Sequence, residues 1–528
     1  MSTLTTRRGQ IERAVEIATV LFASGFDWLL DAIGLQACVS PRCRFVCSFR
    51  PKAQCPHHVD MTLPLPDRIR EVLERLGPTF VKAGQMLALR PDYVPLEYAE
   101  ALRSLHDAVP PFAGAEAERL VAAQLGAPLT RLYADFEHEP FAAASLSQVH
   151  RATLPDGRVV AVKVQRPGIA EQVERDLALL EFLARRIEQR RPEAIAFRPT
   201  TAVAELAEYT RRELDFRREA RTAERVRELF AGDERVVVPA VDPERTSARV
   251  LTMELVEGLR PAPAPELRAA GLDPEPILRA GADAMVRQIF VHGLFHADPH
   301  PGNLLLLPGN RICFLDFGMF GRLGRRERRR MGFVFWALVE GDYDGVADQL
   351  LRISELRSGA DPDGFRTASG ELVEEWFGMR SRDLSIARLL LRLLALGADH
   401  GIVFPRGLML LARSLVNLES TASVVDPALD LATLARPLLP GLRRALVLDA
   451  GSLEEAWHDN RFEYLALALE LPDLVPELVE RLGRAEVPEV SRADGGAGMG
   501  IAAAALAGAA AGYVTSRAAQ WTHRRRHA

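Results

Sequence analysis

Asp298, Asn303 and Asp316 are the residues in this 528-residue chain whose types and spacing best suit chemistry on a phosphate. Asp298 and Asn303 stand five apart in His296-Ala297-Asp298-Pro299-His300-Pro301-Gly302-Asn303. Thirteen residues after Asn303, Asp316-Phe317-Gly318 follows the apolar run Ile312-Cys313-Phe314-Leu315. A nucleoside triphosphate reacts with a divalent cation bridging its phosphates, and hard cations take oxygen ligands from a few well-placed residues. Asn303 and Asp316 supply such oxygens, while Asp298 is placed to orient an attacking hydroxyl or water. The apolar run reads as a short buried strand that sets the second cluster against the first. A lone Asp-Phe-Gly is common in ordinary turns. A D-x4-N loop at this distance before it is far more specific.

Such a site needs a roof over the nucleotide. Phe141–Ala152 and Val159–Gln165 read as two strands joined by a turn at Pro155-Asp156-Gly157. A strand, a small-residue loop (Ala142, Ala143, Ala144, Ser145), a strand and then Val160-Ala161-Val162-Lys163 is the roof of a protein-kinase-like N-lobe. Lys163 then meets the α/β-phosphates. Small side chains let the backbone approach phosphate, but alanine does not readily adopt φ > 0, so this loop is expected to be stiffer than a glycine loop. Met253–Gly258 resembles a kinase hinge in which backbone groups of Glu254 and Val256 meet adenine.

Helices must complete the site. Gly168–Gln189 and Thr201–Phe230 read as two long helices, and the second carries Glu213, Asp215 and Glu219. One carboxylate here should pair with Lys163; Glu219 is the choice and Glu213 the competitor. Further back, Gly77-Pro78 separates a helix over 68–76, with Asp67 as its cap, from one over 79–89. The second holds Lys82-Ala83-Gly84-Gln85, with Lys82 and Gln85 on one face and Gly84 allowing another backbone close. Pro276–His292 reads as the helix before the Asp298 loop. After Gly318 no A-P-E segment follows, and Gly324–Arg330 leads straight into a helix, so a platform for a protein substrate is missing. The run from 331 to 485 is helical by periodicity, broken at Gly341–Tyr343, Phe404-Pro405 and Pro437–Gly441, with no further cluster that carries chemistry.

Taken in order, K-A-G-Q, A-A-A-S, V-A-V-K, E-L-D-F-x-x-E-A, H-A-D-P-H-P-G-N and D-F-G resemble the UbiB/AarF-type atypical kinases, a family linked to ubiquinone and other prenyl-lipid biology. The resemblance runs from about residue 65 to about 430. It implies an α+β, protein-kinase-like two-lobe fold, with a β-rich N-lobe, a helical C-lobe and an N-terminal helical extension. It implies ATP and Mg²⁺, with ATPase or small-molecule kinase activity rather than protein phosphorylation. By this resemblance Asp298, Lys163 and Glu219 are catalytic, and Asn303 and Asp316 bind metal. Lys82, Gln85, Glu213 and Asp215 fill space that a protein substrate would need. The expected acceptor is a small molecule or lipid of the quinone-precursor class, with membrane lipids and quinone-biosynthesis enzymes as partners. A protein serine/threonine kinase and a non-catalytic ATP-gated scaffold are the alternatives.

Composition agrees with several lobes: 48% hydrophobic and 26% charged residues are ordinary globular usage. A formal net charge of −5 argues against a general nucleic-acid binder. The expected organisation is 1–60, an amphipathic helix over 11–35 and a Cys/His stretch; 61–140, the helical extension; 141–258, the N-lobe; 259–485, the C-lobe; and 495–516, a candidate membrane segment. The helix over 11–35 lies on the body or on a membrane surface. Cys38, Cys43, Cys47 and Cys55 with His57 and His58 are dense enough to hold zinc, but without a C-x2-C pair they read equally as reduced, non-ligating cysteines. No secretory signal pattern opens the chain. The 22 uncharged residues of 495–516, mostly Ala and Gly, are long enough for one span, yet also fit a flexible tail or soluble helix. The reading places the catalytic lobes at the cytoplasmic face of a membrane, with one or two C-terminal inserted segments.

Overall fold

The computed structural model describes residues 2–39, 60, 62–88, 94–105, 109–190, 199–340, 342–378 and 385–427. The first amphipathic stretch is two helices, α1 (Ser2–Ala23) and α2 (Asp27–Ile33), where one was expected. Gly25 breaks it with φ 77°, and the Ser24 hydroxyl turns back to donate to the Val20 carbonyl. The apolar face lies on the body: Ile17, Leu21, Phe26 and Leu30 pack with Val72, Leu76, Phe80 and Leu183. Each fully buried aliphatic side chain contributes about 1.5–3 kcal/mol, so this seam holds the pair in place. Arg13 adds an ion pair at 2.7 Å to the buried Asp176, which also accepts the Thr79 hydroxyl.

Helices α3 (Leu65–Leu76) and α4 (Pro78–Leu87) meet at Gly77, whose φ of 95° ends one helix before Pro78 starts the next. Asp67 does not cap α3. Pro64 holds the cap position and Asp67 lies in the first turn, where its charge favours the helix dipole. Gly84 serves a close approach by side chains, not backbone: a Cβ would fall 2.3 Å from Leu105 Cδ1 and 2.7 Å from Leu73 Cδ1. Leu105 follows α5 (Leu96–Arg103), so α3, α4 and the chain after α5 converge on that glycine.

The N-lobe packs α6 (Gly114–Leu125) on a five-stranded antiparallel sheet. Its strands are β1 (Asp135–Phe136), β2 (Ala142–Ala143), β3 (Ser147–Thr153) and β4 (Val159–Gln165), joined later by β6. Between them run α7 (Ile169–Arg190), α8 (Pro199–Glu213), α9 (Phe216–Leu229) and β5 (Val236–Val237), before β6 (Val250–Glu254). The order is β1-β3-β4-β6, with β2 on β3. Side chains alternate along β4, so Val160, Val162 and Val164 join the core under α6 while Ala161 and Lys163 face the other way. The expected single helix over 201–230 is α8 and α9. It breaks at Leu214 because Asp215 leaves helical geometry and its side chain caps α9, accepting the Arg217 N–H.

The C-lobe begins with α10 (Pro274–Val286), which starts two residues earlier than expected on an Asp273 cap and passes into a π-helical turn, Arg287–His292. Strands β7 (Leu294–His296), β8 (Leu304–Leu307), β9 (Arg311–Phe314) and β10 (Phe320–Arg322) follow. β9 is the expected buried strand; it forms a hairpin with β8, turned by Gly309 and Asn310 at φ 78° and 57°, and runs parallel to β5. β10 returns antiparallel to β7 and enters α11 (Arg325–Glu340) after two residues, so no long segment follows the Asp-Phe-Gly turn. α12 (Tyr343–Leu351), α13 (Pro362–Gly378), α14 (Ile386–Asp399) and α15 (Arg406–Val425) follow in the helical lobe, and the rest of the expected helical run, 428–485 with its break at Pro437–Gly441, lies outside the described residues.

α15 is the one described helix long and apolar enough to cross a membrane. Its Leu408, Leu411, Ala412 and Leu415 are buried in the C-lobe core, and its polar side chains hold the Asp298 loop, so it works as a core helix. Cys43, Cys47, Cys55, His57, His58 and the 495–516 segment lie outside the described residues. Cys38 is described and packs against the α1–α2 apolar cluster; among the described residues no group of three or more His, Cys, Asp or Glu could hold a metal ion.

Candidate active site

A cavity of about 1180 Å³ opens between the lobes, and most of the expected residues line it. From the roof come Ala142–Ser145 and Lys163, from the hinge Glu254 and Val256, and from the floor Asn303 and Asp316. Lys82, Glu213, Asp215 and Glu219 close the side. The expected small-residue loop is strand β2 at Ala142–Ala143 followed by a tight turn closed by the Ala144 N–H donating to the Ser147 carbonyl, and it contains no left-handed residue, as expected of alanine. It is pinned instead: Arg166 donates to the Ala144 carbonyl at 2.9 Å and to the Val109 and Pro110 carbonyls at 3.2 and 2.9 Å.

Lys163 Nζ lies 2.9 Å from both oxygens of Glu219, which resolves the choice against Glu213. It is also 3.9 Å from Asp316 Oδ2 and sits over the Phe216 ring. Burial works against the Lys163 charge, but Asp316 and Glu219 overcome it and hold the ammonium well above its usual range. Burial pushes the Glu219 carboxyl up, while Lys163 pulls it back toward the ionised form. At Asp316 burial would also raise the pKa, yet Lys163 and the Gly318 N–H hold it down at about 2. Glu213 pairs elsewhere, with Lys82 at 3.3 Å and with the Tyr209 hydroxyl, which donates to it at 2.5 Å.

A hard divalent cation fits the floor. Asp316 is ionised and 42% exposed toward the cavity; one oxygen accepts the Gly318 N–H and the other remains for a ligand. The Asn303 amide nitrogen donates to the Asp298 carbonyl at 3.2 Å, which leaves the amide oxygen for a cation. Backbone bonds fix this loop: the Leu315 N–H reaches the Asn303 carbonyl, and the His300 N–H reaches the Asp298 carbonyl. His296 is structural. It is buried, its Nδ1 accepts the Asp298 N–H, and burial lowers its pKa to about 4, so it stays neutral.

Two expected residues sit apart from the cavity. Gln85 donates to the Leu105 carbonyl at 3.4 Å and lines a smaller neighbouring cavity with Tyr209 and Arg413, because the turn of α4 that carries it faces the chain after α5. The Asp298 carboxylate turns toward α15, where Arg413 Nη2 donates to it at 2.8 Å and Asn417 Nδ2 at 2.5 Å. Ser414 and Thr421 of α15 donate to the His296 and Pro299 carbonyls. This role of α15 was not among the expectations from sequence. The signal for it in the sequence is Arg413, Ser414, Asn417 and Thr421 at i, i+1, i+4 and i+8, on one face of a largely apolar helix.

A small sheet over a helical lobe, with a buried Lys–Glu pair and an Asp-Phe-Gly turn at their junction, defines a protein-kinase-like fold of atypical form. Residues 104–350 match the ABC1 atypical kinase-like domain and residues 370–430 the UbiB helical domain. A probable protein kinase UbiB of Marinobacter nauticus is 33% identical over 413 residues, covering 78% of this chain and 75% of that protein. One from Xanthomonas axonopodis pv. citri is 35% identical over 388 residues, covering 71% and 70%. A solved Mycobacterium tuberculosis protein, Rv3197 in complex with erythromycin, overlaps 70% of this chain and 94% of its own at 25% identity and a TM-score of 0.47. The chain belongs to the UbiB family of atypical kinases.

Proposed function

We propose that this protein binds Mg-ATP between its lobes and, as an ATPase or small-molecule kinase, supports ubiquinone or related isoprenoid-lipid metabolism at the cytoplasmic face of a membrane. The observation that carries the reading is Lys163 held 2.9 Å from Glu219 and 3.9 Å from Asp316 on the wall of one large cavity. In this reading Lys163 meets the α/β-phosphates, kept charged and oriented by Glu219. Asn303 and Asp316 hold Mg²⁺, which neutralises charge on the phosphates when bound. Backbone groups of Glu254 and Val256 meet adenine, and Ala142–Ser145 cover the phosphates. Lys82, Glu213 and Asp215, with Gln85 behind them, restrict what reaches the γ-phosphate. The abrupt passage from β10 into α11 favours a small or lipid acceptor, since a peptide would have no segment to lie on. The membrane assignment rests on the 495–516 sequence.

For Asp298 to receive an acceptor proton, its carboxylate must leave Arg413 and Asn417 and turn into the cavity. That engagement favours a second reading, an ATP-gated scaffold in which phosphoryl transfer is dispensable. Quinone and lipid profiling of a deletion strain separates the two. If transfer matters, neither Asp298→Asn nor Lys163→Ala restores the profile; if only gating matters, Asp298→Asn restores it and Lys163→Ala does not. Pure protein that fails to bind Mg-nucleotide sinks both readings.

A further inference from the structure

The cavity is larger than the roughly 300–1,000 Å³ usual for one ligand, and part of its lining is cationic. Arg218, Arg221 and Arg225 recur at i, i+3 and i+7 along α9, and all three line the cavity. Arg322 of β10 and Arg406 at the start of α15 line it as well. These elements abut one another. Arg322 stands opposite Leu294 in the β7–β10 pair, and a Cβ on Gly407 would lie 2.6 Å from the Arg322 carbonyl. Burial lowers the pKa of His292, two residues before β7, and Arg225 is near enough to add to that shift after Arg287 and Arg328.

Among the described residues, Arg218, Arg221, Arg322 and Arg406 form no ion pair with a carboxylate, and all four are exposed. The other arginines of α9 are answered: Arg225 of the wall by Glu228, and Arg217 and Arg227, which do not line the cavity, by Asp215 and Glu224. Lining up like charges on one helix face is destabilising, and an arriving anion reverses that. Nucleotide phosphates already have Lys163 and the Asn303–Asp316 floor as their partners in the same cavity. Met319, Phe320 and Leu410 line the same cavity on or next to the elements that carry Arg322 and Arg406, giving it an apolar surface as well as the charge. Several planar guanidinium forks match a phosphate better than one carboxylate can satisfy them.

We propose that this wall is a second binding site, for a phosphate ester with an apolar or organic body, which enters the cavity beside the nucleotide. The site deepens the nucleotide reading and rests on it only for which wall is left free. The phosphate comes from a soluble ester or a lipid headgroup.

The test uses the full chain saturated with Mg-AMP-PNP, titrated with glycerol 3-phosphate and, separately, with phosphatidylglycerol/phosphatidylcholine vesicles. Saturable binding of the soluble ester identifies a free phosphate ester; binding confined to phosphatidylglycerol vesicles identifies a headgroup. In either case Arg221→Gln/Arg322→Gln should weaken binding by about tenfold or more, with Mg-AMP-PNP affinity unchanged. Both positions are exposed, and equal melting temperatures verify that the variant folds. No saturable binding of either probe, binding equal in the variant, or a parallel loss of Mg-AMP-PNP affinity would each overturn the proposal. If the wild type does not bind Mg-AMP-PNP, the nucleotide reading fails; the same titrations on nucleotide-free protein then decide the arginine wall by the same criteria.

Discussion

Arg413→Met should destabilise the protein more than the double variant Arg413→Met/Asp298→Asn does. Arg413 and Asp298 are 14% and 19% exposed and lie 2.8 Å apart. At an effective dielectric near 20, that separation gives about 6 kcal/mol of Coulomb attraction. Desolvation of both groups offsets most of it, leaving about 1.5–3 kcal/mol for a charged hydrogen bond. Removing only the arginine leaves the carboxylate largely buried with Asn417 as its remaining side-chain donor. The expected cost is about 2–3 kcal/mol, below the roughly 3–5 kcal/mol of a fully buried pair because both groups keep some exposure and Asn417 still donates. Neutralising Asp298 as well removes the stranded charge and should recover about 1 kcal/mol. Urea unfolding of wild type, both single variants and the double variant gives the coupling energy, expected near 2 kcal/mol. Single-variant costs that add to the double-variant cost within about 0.5 kcal/mol would show that the pair is not coupled and refute the argument. The outcome bears on function, because Asp298→Asn then changes stability as well as chemistry, and its complementation must be read at matched protein levels.

Three further outcomes follow from the geometry. Gly84→Ala drives a methyl group into Leu105 and Leu73 and should cost about 1–3 kcal/mol, seen as a lower melting temperature; an unchanged melt would mean that α3, α4 and the chain after α5 part easily. Arg166→Ala takes the donor from three carbonyls, so hydrogen exchange in 142–146 should quicken and the nucleotide KM rise several-fold with kcat little changed, whereas unaltered exchange would contradict the pinned loop. Buried, neutral His296 has a pKa near 4 against about 6.5 unfolded, so between those values the unfolded chain binds more protons. Its contribution is complete above about pH 6.5 and lost as pH falls toward 4, and His296→Gln should flatten the fall in melting temperature over that window; an equally steep profile would refute it.

Local pattern carried a large part of this protein. Alternation along 159–165 places Lys163 on the face opposite the core valines, and the run at 312–315 marks the β9 strand that presents Asp316. Gly77-Pro78 announces its helix boundary for the same reason: short-range sterics act on the chain whatever surrounds it. The break at Leu214–Asp215 was less legible, since helical periodicity persists across it and only the cap geometry interrupts it. Glu219 was separable from Glu213 only in space, where one helix aims at β4 and the other at Lys82.

The state of Asp298 depended entirely on tertiary structure. Its loop and its partners Arg413 and Asn417 are more than a hundred residues apart in sequence, and no local pattern links them. The same holds for the arginine wall, which α9, β10 and α15 assemble from three distant stretches. Sequence alone determined which groups can do phosphate chemistry, because residue type and short spacing decide that. Packing decided where each charge points, because a carboxylate or guanidinium turns toward whichever partner the folded chain brings within reach.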